Sequence, residues 1–147
     1  KAAKARGATT ILNPAPYQQL SAELLELTDW LIPNETEFRE LQGTLPTSDE
    51  ILKTFRPGKN SVITLGSKGA VYISADGQIH HASAPQVTAV DTTGAGDAFV
   101  GSFAFALASG KDPLEAMKFG IKIASFSVTR KGAQSSYPDQ TEIATLS

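Results

Sequence analysis

Short apolar runs alternate with longer amphipathic segments along the first half of the chain. The runs at residues 9–12, 30–32 and 62–65 predict strands, because strands that helices cover on both faces are short and apolar throughout. Helical segments are predicted at residues 1–6, 18–27, 35–42 and 49–55, the last with Ser48 as N-cap. This alternation predicts an α/β fold with a mostly parallel sheet and helices on both faces.

The pattern of apolar positions changes after the third predicted strand. Residues 70–74 and 78–81 have strand character and flank Ala75-Asp76-Gly77, which favours a tight turn, so an antiparallel hairpin is predicted to join the sheet. A further strand is predicted at residues 87–90 and a buried helix at residues 98–108. The segment between these two is therefore predicted to be a strand-to-helix turn.

Residues 112–128 predict a long amphipathic helix. Asp112 is a suitable N-cap, and Pro113 suits the first helical position. One face of this helix is apolar and consists of Leu114, Met117, Ile121, Ala124 and Val128. Residues 132–138 are predicted to form a loop, after which Asp139 caps a short terminal helix.

Composition narrows the class of protein. The chain has 147 residues, 41% hydrophobic and 19% charged, which is enough for a single domain over residues 1–147 with its own core. A net charge of −2 without a basic run argues against nucleic acid or an anionic membrane as partner. The lack of cysteine excludes disulfides and thiolate metal sites and favours a reducing, cytoplasmic location. No uninterrupted apolar segment is long enough to span a bilayer.

The first residues read as the end of a helix that is closed by Gly7, without an N-cap or an initiator methionine before it. This pattern predicts that the chain is part of a longer protein and an incomplete domain.

Residues 91–99, Asp-Thr-Thr-Gly-Ala-Gly-Asp-Ala-Phe, concentrate the candidate chemistry. Gly94 and Gly96 permit backbone conformations in which successive N–H groups, that of Ala95 among them, point toward one anion. The positive end of the following helix strengthens this preference. Asp97, in the first turn, is placed to accept the proton of an attacking hydroxyl. An Asp/Gly turn that only caps a helix is the alternative interpretation.

The whole of this run resembles the second signature of the ribokinase (PfkB-type) family of carbohydrate kinases. The resemblance extends from Asn13-Pro14-Ala15-Pro16 to residues 135–138 and corresponds to the carboxyl-terminal, nucleotide-binding half of such enzymes. It implies a ribokinase-like three-layer α/β/α fold and ATP-dependent phosphorylation of a sugar hydroxyl, D-ribose giving D-ribose 5-phosphate. Asp97 would be the base and a substrate contact, with an anion hole formed by Gly94, Ala95 and Gly96.

Asn34 and Glu37 follow the second predicted strand and open a helix. Their spacing is that of a capping box, which any helix can use. It also resembles the family's Asn-x-x-Glu element, which implies that Asn34 contacts phosphate and Glu37 belongs to the shell of a Mg²⁺ ion. Both interpretations are compatible, because a capping pair also fixes the side chains that it uses.

Residues 64–69, Thr-Leu-Gly-Ser-Lys-Gly, connect the third strand to the hairpin. On composition alone they form a glycine-containing turn. They resemble the family loop that lies against the nucleotide, which implies five contact residues, namely Thr64, Gly66, Ser67, Lys68 and Gly69. The resemblance also places Ile121 beside the adenine.

Residues 127–136 end the long helix in a basic loop, for which helix termination is the simplest interpretation. The resemblance adds a site for a monovalent cation, K⁺ in this family. Its oxygens would come from Asp91, Thr93, Ser127, Arg130, Gly132 and Ser136, with Arg130 contributing only its backbone carbonyl.

Several classes of site are unsupported by the sequence. There is no P-loop motif, and His80 and His81 are adjacent on a strand, so they point to opposite faces and cannot chelate one metal. The serines lack the context of a hydrolase nucleophile elbow.

The remaining alternatives are another sugar or nucleoside kinase of the family, such as a fructokinase or adenosine kinase, a non-catalytic nucleotide-binding fragment, and an α/β domain without a ligand. For the full-length parent the resemblance implies a homodimer. Because most sugar contacts of the family lie in the other half, little or no kinase activity is expected of these residues alone.

Overall fold

The computed structural model describes residues 1–42 and 58–146, without the side chain of Gln42. The helix expected at residues 49–55, with its N-cap Ser48, lies outside the described residues. The chain divides into two compact units. The first comprises Lys1–Thr64 with Val71–His80, and the second comprises Leu65–Ala70 with His81–Ser147.

A five-stranded sheet has its strands in the order of the chain, which are β1 (Ile11–Leu12), β2 (Trp30–Leu31), β3 (Asn60–Thr64), β4 (Ala70–Ile73) and β5 (Ile79–Ala82). The first three strands are parallel, with Ile11 opposite Trp30 and Trp30 opposite Asn60. The last three follow one another through short turns, which only antiparallel neighbours permit. The sheet is therefore mixed, as the sequence predicted.

Within its described residues, the first unit has the helices α1 (Ala2–Ala5), α2 (Ala22–Glu26) and α3 (Glu35–Gln42). Ser21 caps α2 by accepting a hydrogen bond of 3.2 Å from the N–H of Leu24. The core against the sheet is apolar and almost fully buried, and includes Trp30, Leu31, Ile32, Phe38, Val62, Ile63, Val71 and Ile73.

Two tight turns connect the antiparallel strands. In the first, the N–H of Leu65 donates to the carbonyl of Gly69 at 2.8 Å around a single 3₁₀ turn, Gly66–Lys68. In the second, the N–H of Ser74 donates to the carbonyl of Gln78 at 2.9 Å. The predicted hairpin is confirmed.

The prediction of a strand at residues 87–90 is wrong. The structure has no strand there, and Val87 and Val90 are 45% and 55% exposed. The N–H of Val90 donates instead to the carbonyl of Val128 at 2.7 Å. The local preference of valine and threonine for strands does not suffice without a neighbouring strand to pair with.

The second unit contains α4 (Ala95–Ala108), α5 (Pro113–Ser127) and α6 (Gln140–Leu146). Asp112 caps α5 through the N–H groups of Leu114 and Glu115, as predicted. Helices α4 and α5 pack closely at Gly120, where an added Cβ would lie 3.0 Å from the ring of Phe99. The absence of a side chain at Gly120 permits this approach. None of the helices in residues 1–42 and 58–146 has the length and apolar content of a membrane span.

Candidate functional site

The start of α4 forms a cradle of backbone N–H groups. Gly94 is the N-cap and adopts a left-handed conformation, with φ 77° and ψ 0°, that glycine enters without steric cost. The N–H of Ala95 donates to the carbonyl of Thr92 at 3.2 Å. The N–H groups of Gly96 and Asp97 have no acceptor among the described residues, as expected for the first turn of a helix. These two exposed residues therefore offer free donors to an anion.

Asp97 lies in the first turn of α4, and its residue is exposed to solvent. Its negative charge also acts on Tyr137, since burial and the charge of Asp97 together raise the pKa of the Tyr137 hydroxyl. The structure thus brings a carboxylate, free N–H groups and a neutral hydroxyl donor to one helix end.

Asp91 has a different environment from Asp97. One of its carboxylate oxygens accepts from the N–H of Thr93 and the other from the N–H of Gly132, both at 2.9 Å. Hydrogen bonding by Thr93, followed by that of Gly132, lowers the pKa of Asp91 to about 2. Because both oxygens hold the backbone in place, Asp91 serves as a connector between the motif and the loop after α5.

The loop after α5 surrounds the motif. The carbonyl of Val128 accepts from the N–H groups of Val90 and Asp91, at 2.7 and 3.2 Å. The hydroxyl of Tyr137 donates to the carbonyl of Gly94 at 3.1 Å. The sequence did not identify Tyr137 and named Val128 only for the apolar face of its helix, because hydrogen bonds between residues so far apart in the chain leave no periodic signal.

Three of the six candidate cation ligands are joined directly by hydrogen bonds. Asp91, Thr93 and Gly132 are joined by the hydrogen bonds of the Asp91 carboxylate. Ser127 and Ser136 are buried, and each hydroxyl donates to a backbone carbonyl three residues earlier, at 2.8 and 2.6 Å.

The side chain of the sixth residue, Arg130, is positively charged and has partners of its own. Its guanidinium pairs with Glu142 through contacts of 2.5 and 3.2 Å and lies 4.2 Å from the centre of the Phe126 ring. Only the backbone carbonyl of Arg130 is left as a cation ligand.

In the first unit, Asn34 and Glu37 form the expected capping box. The N–H of Asn34 donates to Oε2 of Glu37 at 2.8 Å, and the N–H of Glu37 donates to Oδ1 of Asn34 at 2.9 Å. Glu37 is buried, whereas Asn34 is exposed. A parallel bridge pairs Thr64, the last residue of β3, with Asn34, which follows β2. These three residues therefore share the carboxyl edge of the sheet, where open α/β proteins bind ligands.

The loop at residues 66–69 is shaped by its glycines. Gly69 has a φ of 101°, and a Cβ there would lie 2.0 Å from the carbonyl oxygen of Ala82, so only glycine fits. Gly66, Ser67 and Lys68 are exposed to solvent.

Ile121 lies in α5 and is only 5% exposed. It can therefore offer a base no more than a small part of its side chain.

This chain is similar to known carbohydrate kinases. The family model described as pfkB family carbohydrate kinase matches residues 1–140. The ribokinase of Staphylococcus aureus (strain COL) is 43% identical over 96% of this chain and 48% of its own length. The deoxyribokinase of Salmonella typhi is also 43% identical, over 92% of this chain and 46% of its own length. The chain thus spans about half the length of these curated relatives.

Solved structures of sugar kinases are also similar to this chain. The ribokinase of Arabidopsis thaliana, complexed with ribose and ATP, superposes with a TM-score of 0.89 at 35% identity, over 99% of this chain and 49% of that one. A fructokinase double mutant from Vibrio cholerae O395, in a form that binds fructose, ADP and potassium ion, has a TM-score of 0.81 at 26% identity. That match covers 98% of this chain and 52% of the fructokinase.

Proposed function

Because the chain belongs to the pfkB family of carbohydrate kinases, we propose that it forms the nucleotide-binding half of an enzyme that transfers a phosphoryl group from ATP to a sugar hydroxyl. The observation that carries this proposal is the start of α4, where the free N–H groups of Gly96 and Asp97 adjoin the exposed Asp97 carboxylate. A site for phosphoryl transfer needs an anion cradle and a base within one small region.

In this proposal Asp97 accepts the proton of the attacking sugar hydroxyl and is also a contact to that sugar. The N–H groups of Gly96 and Asp97, supported by the left-handed Gly94 and by Ala95, stabilise the charge on the transferring phosphoryl group. The dipole of α4 favours the same charge. Asp91 takes no proton, because its two oxygens are bound to N–H groups and its pKa is about 2.

The first unit contributes phosphate and magnesium contacts. Asn34 would contact phosphate, and Glu37 would belong to the shell of a Mg²⁺ ion, which supplies positive charge to neutralise the phosphates. The residues fit this role, since a carboxylate is a suitable oxygen ligand and the Glu37 side chain is held by the N–H of Asn34.

The nucleotide and a monovalent cation complete the set of ligands. Residues 64–69 lie against the nucleotide, with Thr64, Gly66, Ser67, Lys68 and Gly69 as contacts and Ile121 beside the base. K⁺ would be held by oxygens of Asp91, Thr93, Ser127, Arg130, Gly132 and Ser136. The junction of Asp91, Thr93 and Gly132 supports this assignment, as does the potassium ion bound to the similar fructokinase.

D-Ribose is the proposed sugar, giving D-ribose 5-phosphate. It is supported by the similar ribokinases and by the Asn13-Pro14-Ala15-Pro16 turn, where the amide of Asn13 donates to the carbonyl of Ile32 at 2.7 Å. Deoxyribose and fructose are the alternatives that similar proteins bring, and a nucleoside such as adenosine is a further one. The full protein is proposed to be a cytoplasmic homodimer.

Nucleotide binding is tested by isothermal titration of this chain with ATP and ADP in the presence of Mg²⁺, with and without K⁺. Saturable binding of both nucleotides is expected. Where K⁺ is left out, Na⁺ replaces it at the same concentration, and tighter binding with K⁺ than with Na⁺ would support the cation site. A chain that is folded by circular dichroism but binds neither nucleotide would contradict the proposal.

Transfer is tested in a chimaera in which this chain replaces the matching segment of the Staphylococcus aureus ribokinase. Phosphorylation of D-ribose is expected, with deoxyribose, fructose and adenosine as comparison substrates. Nucleotide binding by the chain without transfer in a folded chimaera would favour the alternative of a non-catalytic nucleotide-binding module.

A further inference from the structure

The carbonyl of Gly94 is held by two donors from different parts of the second unit. The N–H of Ala98, inside α4, donates to it at 2.9 Å. The hydroxyl of Tyr137 donates to it at 3.1 Å from the loop after α5. The first bond belongs to the helix itself, whereas the second fixes the N-cap from outside.

The space behind Gly94 is closed by the same loop. A Cβ at Gly94 would lie 2.9 Å from the Tyr137 hydroxyl oxygen and 3.0 Å from the Cβ of Ala133. Asp91 precedes Gly94 in the motif, and its carboxylate accepts a hydrogen bond of 2.9 Å from the N–H of Gly132 in the loop. The loop therefore contacts the motif at two points before α4, at Asp91 and at the N-cap Gly94.

We propose that Tyr137 is a positioning residue for phosphate recognition, which acts through Gly94. Its hydroxyl fixes the Gly94 carbonyl and thereby the peptide planes that aim the N–H groups of Gly96 and Asp97. A glycine needs such an external restraint, because it enters many backbone conformations at similar energy. The proposal rests on the proposed function, since it assumes that the phosphoryl group to be transferred occupies this cradle.

The test compares ATP and ADP, which differ by the phosphoryl group that the cradle would receive. Isothermal titration is performed on the wild-type chain and on Tyr137→Phe, which keeps the ring and removes only the hydroxyl. The affinity for ATP is expected to fall about three- to tenfold, the equivalent of one hydrogen bond, while the affinity for ADP stays the same. Tyr17→Phe is the matched control, because the hydroxyl of Tyr17 makes no hydrogen bond with the described residues, and it should change neither affinity.

The possible outcomes separate the two proposals. A wild-type chain that is folded by circular dichroism but binds neither nucleotide refutes the proposed function and the role of Tyr137 with it. If the wild-type chain binds both and Tyr137→Phe leaves the ATP-to-ADP affinity ratio unchanged, only the positioning role is refuted. An equal loss for both nucleotides refutes it as well, because that result shows a general structural effect, which thermal unfolding would reveal as a lower Tm.

Discussion

At the scale of single residues, the two aspartates of the motif differ in the hydrogen bonds that their carboxylates accept. Asp91 has both carboxylate oxygens bound by backbone N–H groups at 2.9 Å, and its pKa is lowered to about 2. Asp97 is exposed in the first turn of α4. A base needs a free lone pair within reach of its substrate, so Asp97 is the candidate and Asp91 is the connector.

Replacing Asp97 by Asn tests this division. In the active chimaera, Asp97→Asn is expected to lower kcat by about 10²- to 10⁴-fold, because the amide cannot accept the hydroxyl proton. The affinity for ATP should change little, since the backbone N–H groups remain. Steady-state kinetics with D-ribose measure the first quantity and titration with ATP the second. A variant with nearly wild-type kcat would disprove the assignment.

The chemistry of the motif could be predicted from residue types, but the contacts that shape it could not. The roles proposed for Gly94 and Asp97 follow from local backbone and side-chain properties. The distant partners of Asp91 and Gly94 lie 41 and 43 residues away, at Gly132 and Tyr137, and only the resemblance had grouped Gly132 with Asp91. A single sequence has no signal for hydrogen bonds of that separation.

At the scale of secondary-structure elements, prediction succeeded where the determining forces are local. Helix α5 begins at Pro113 with Asp112 as its cap, because the capping bonds are made within the same turn. Asp139 caps α6 in the same way, accepting from the N–H of Glu142 at 2.9 Å. The strand expected at residues 87–90 did not form, since strand formation depends on a partner that local sequence does not specify.

The turn between β3 and β4 gives a prediction with a built-in control. Gly69→Ala is expected to destabilise the fold by about 3 kcal/mol or more, because its Cβ would lie 2.0 Å from the backbone oxygen of Ala82 in β5. Gly66→Ala, at φ 56° with nothing within 4 Å of the added Cβ, should cost only about 1 kcal/mol. Denaturant unfolding of both variants measures the difference. Equal losses would show that the left-handed backbone alone, and not the close approach, requires Gly69.

At the scale of the whole molecule, the likeness to solved structures confirms the predicted fold class, with TM-scores of 0.89 and 0.81. The chain covers 49% and 52% of those two proteins, respectively. The substrate was predicted only through the resemblance, which implied D-ribose and kept a fructokinase or an adenosine kinase as alternatives, because no residue type or spacing in this chain specifies one sugar. The single domain over residues 1–147 stays a prediction.

The acid stability of the first unit depends on a polar cluster at its edge. Asp29 accepts from Lys4 at 2.7 Å and from the N–H and the hydroxyl of Thr10 at 2.8 and 2.9 Å. The hydrogen bond from Lys4, followed by that of the Thr10 backbone, lowers the pKa of Asp29 from 3.8 to about 2. A lowered pKa means that the ionised form stabilises the fold.

The contribution of Asp29 should therefore be complete above about pH 4 and should be lost as the pH falls through 2. Asp29→Asn is expected to cost on the order of 1 kcal/mol at neutral pH, after allowance for solvent screening. The difference from the wild type should shrink toward pH 2, as measured by chemical unfolding at several pH values. Lys4→Met should remove much of the same pH dependence, and a difference that stays constant down to pH 2 would exclude this origin.

The capping box of α3 lowers the conformational entropy that its side chains have left to lose when a ligand binds. The mutual bonds of 2.8 and 2.9 Å order the side chains of Asn34 and Glu37 when the protein folds, before any ligand arrives. Ordering a glutamate side chain costs about 1.5 to 2 kcal/mol of conformational freedom. Here that cost falls on folding, where the cap offsets it, and not on binding. A ligand that reaches Glu37 therefore meets a carboxylate that is already immobile, and its dissociation constant does not include the ordering of that group.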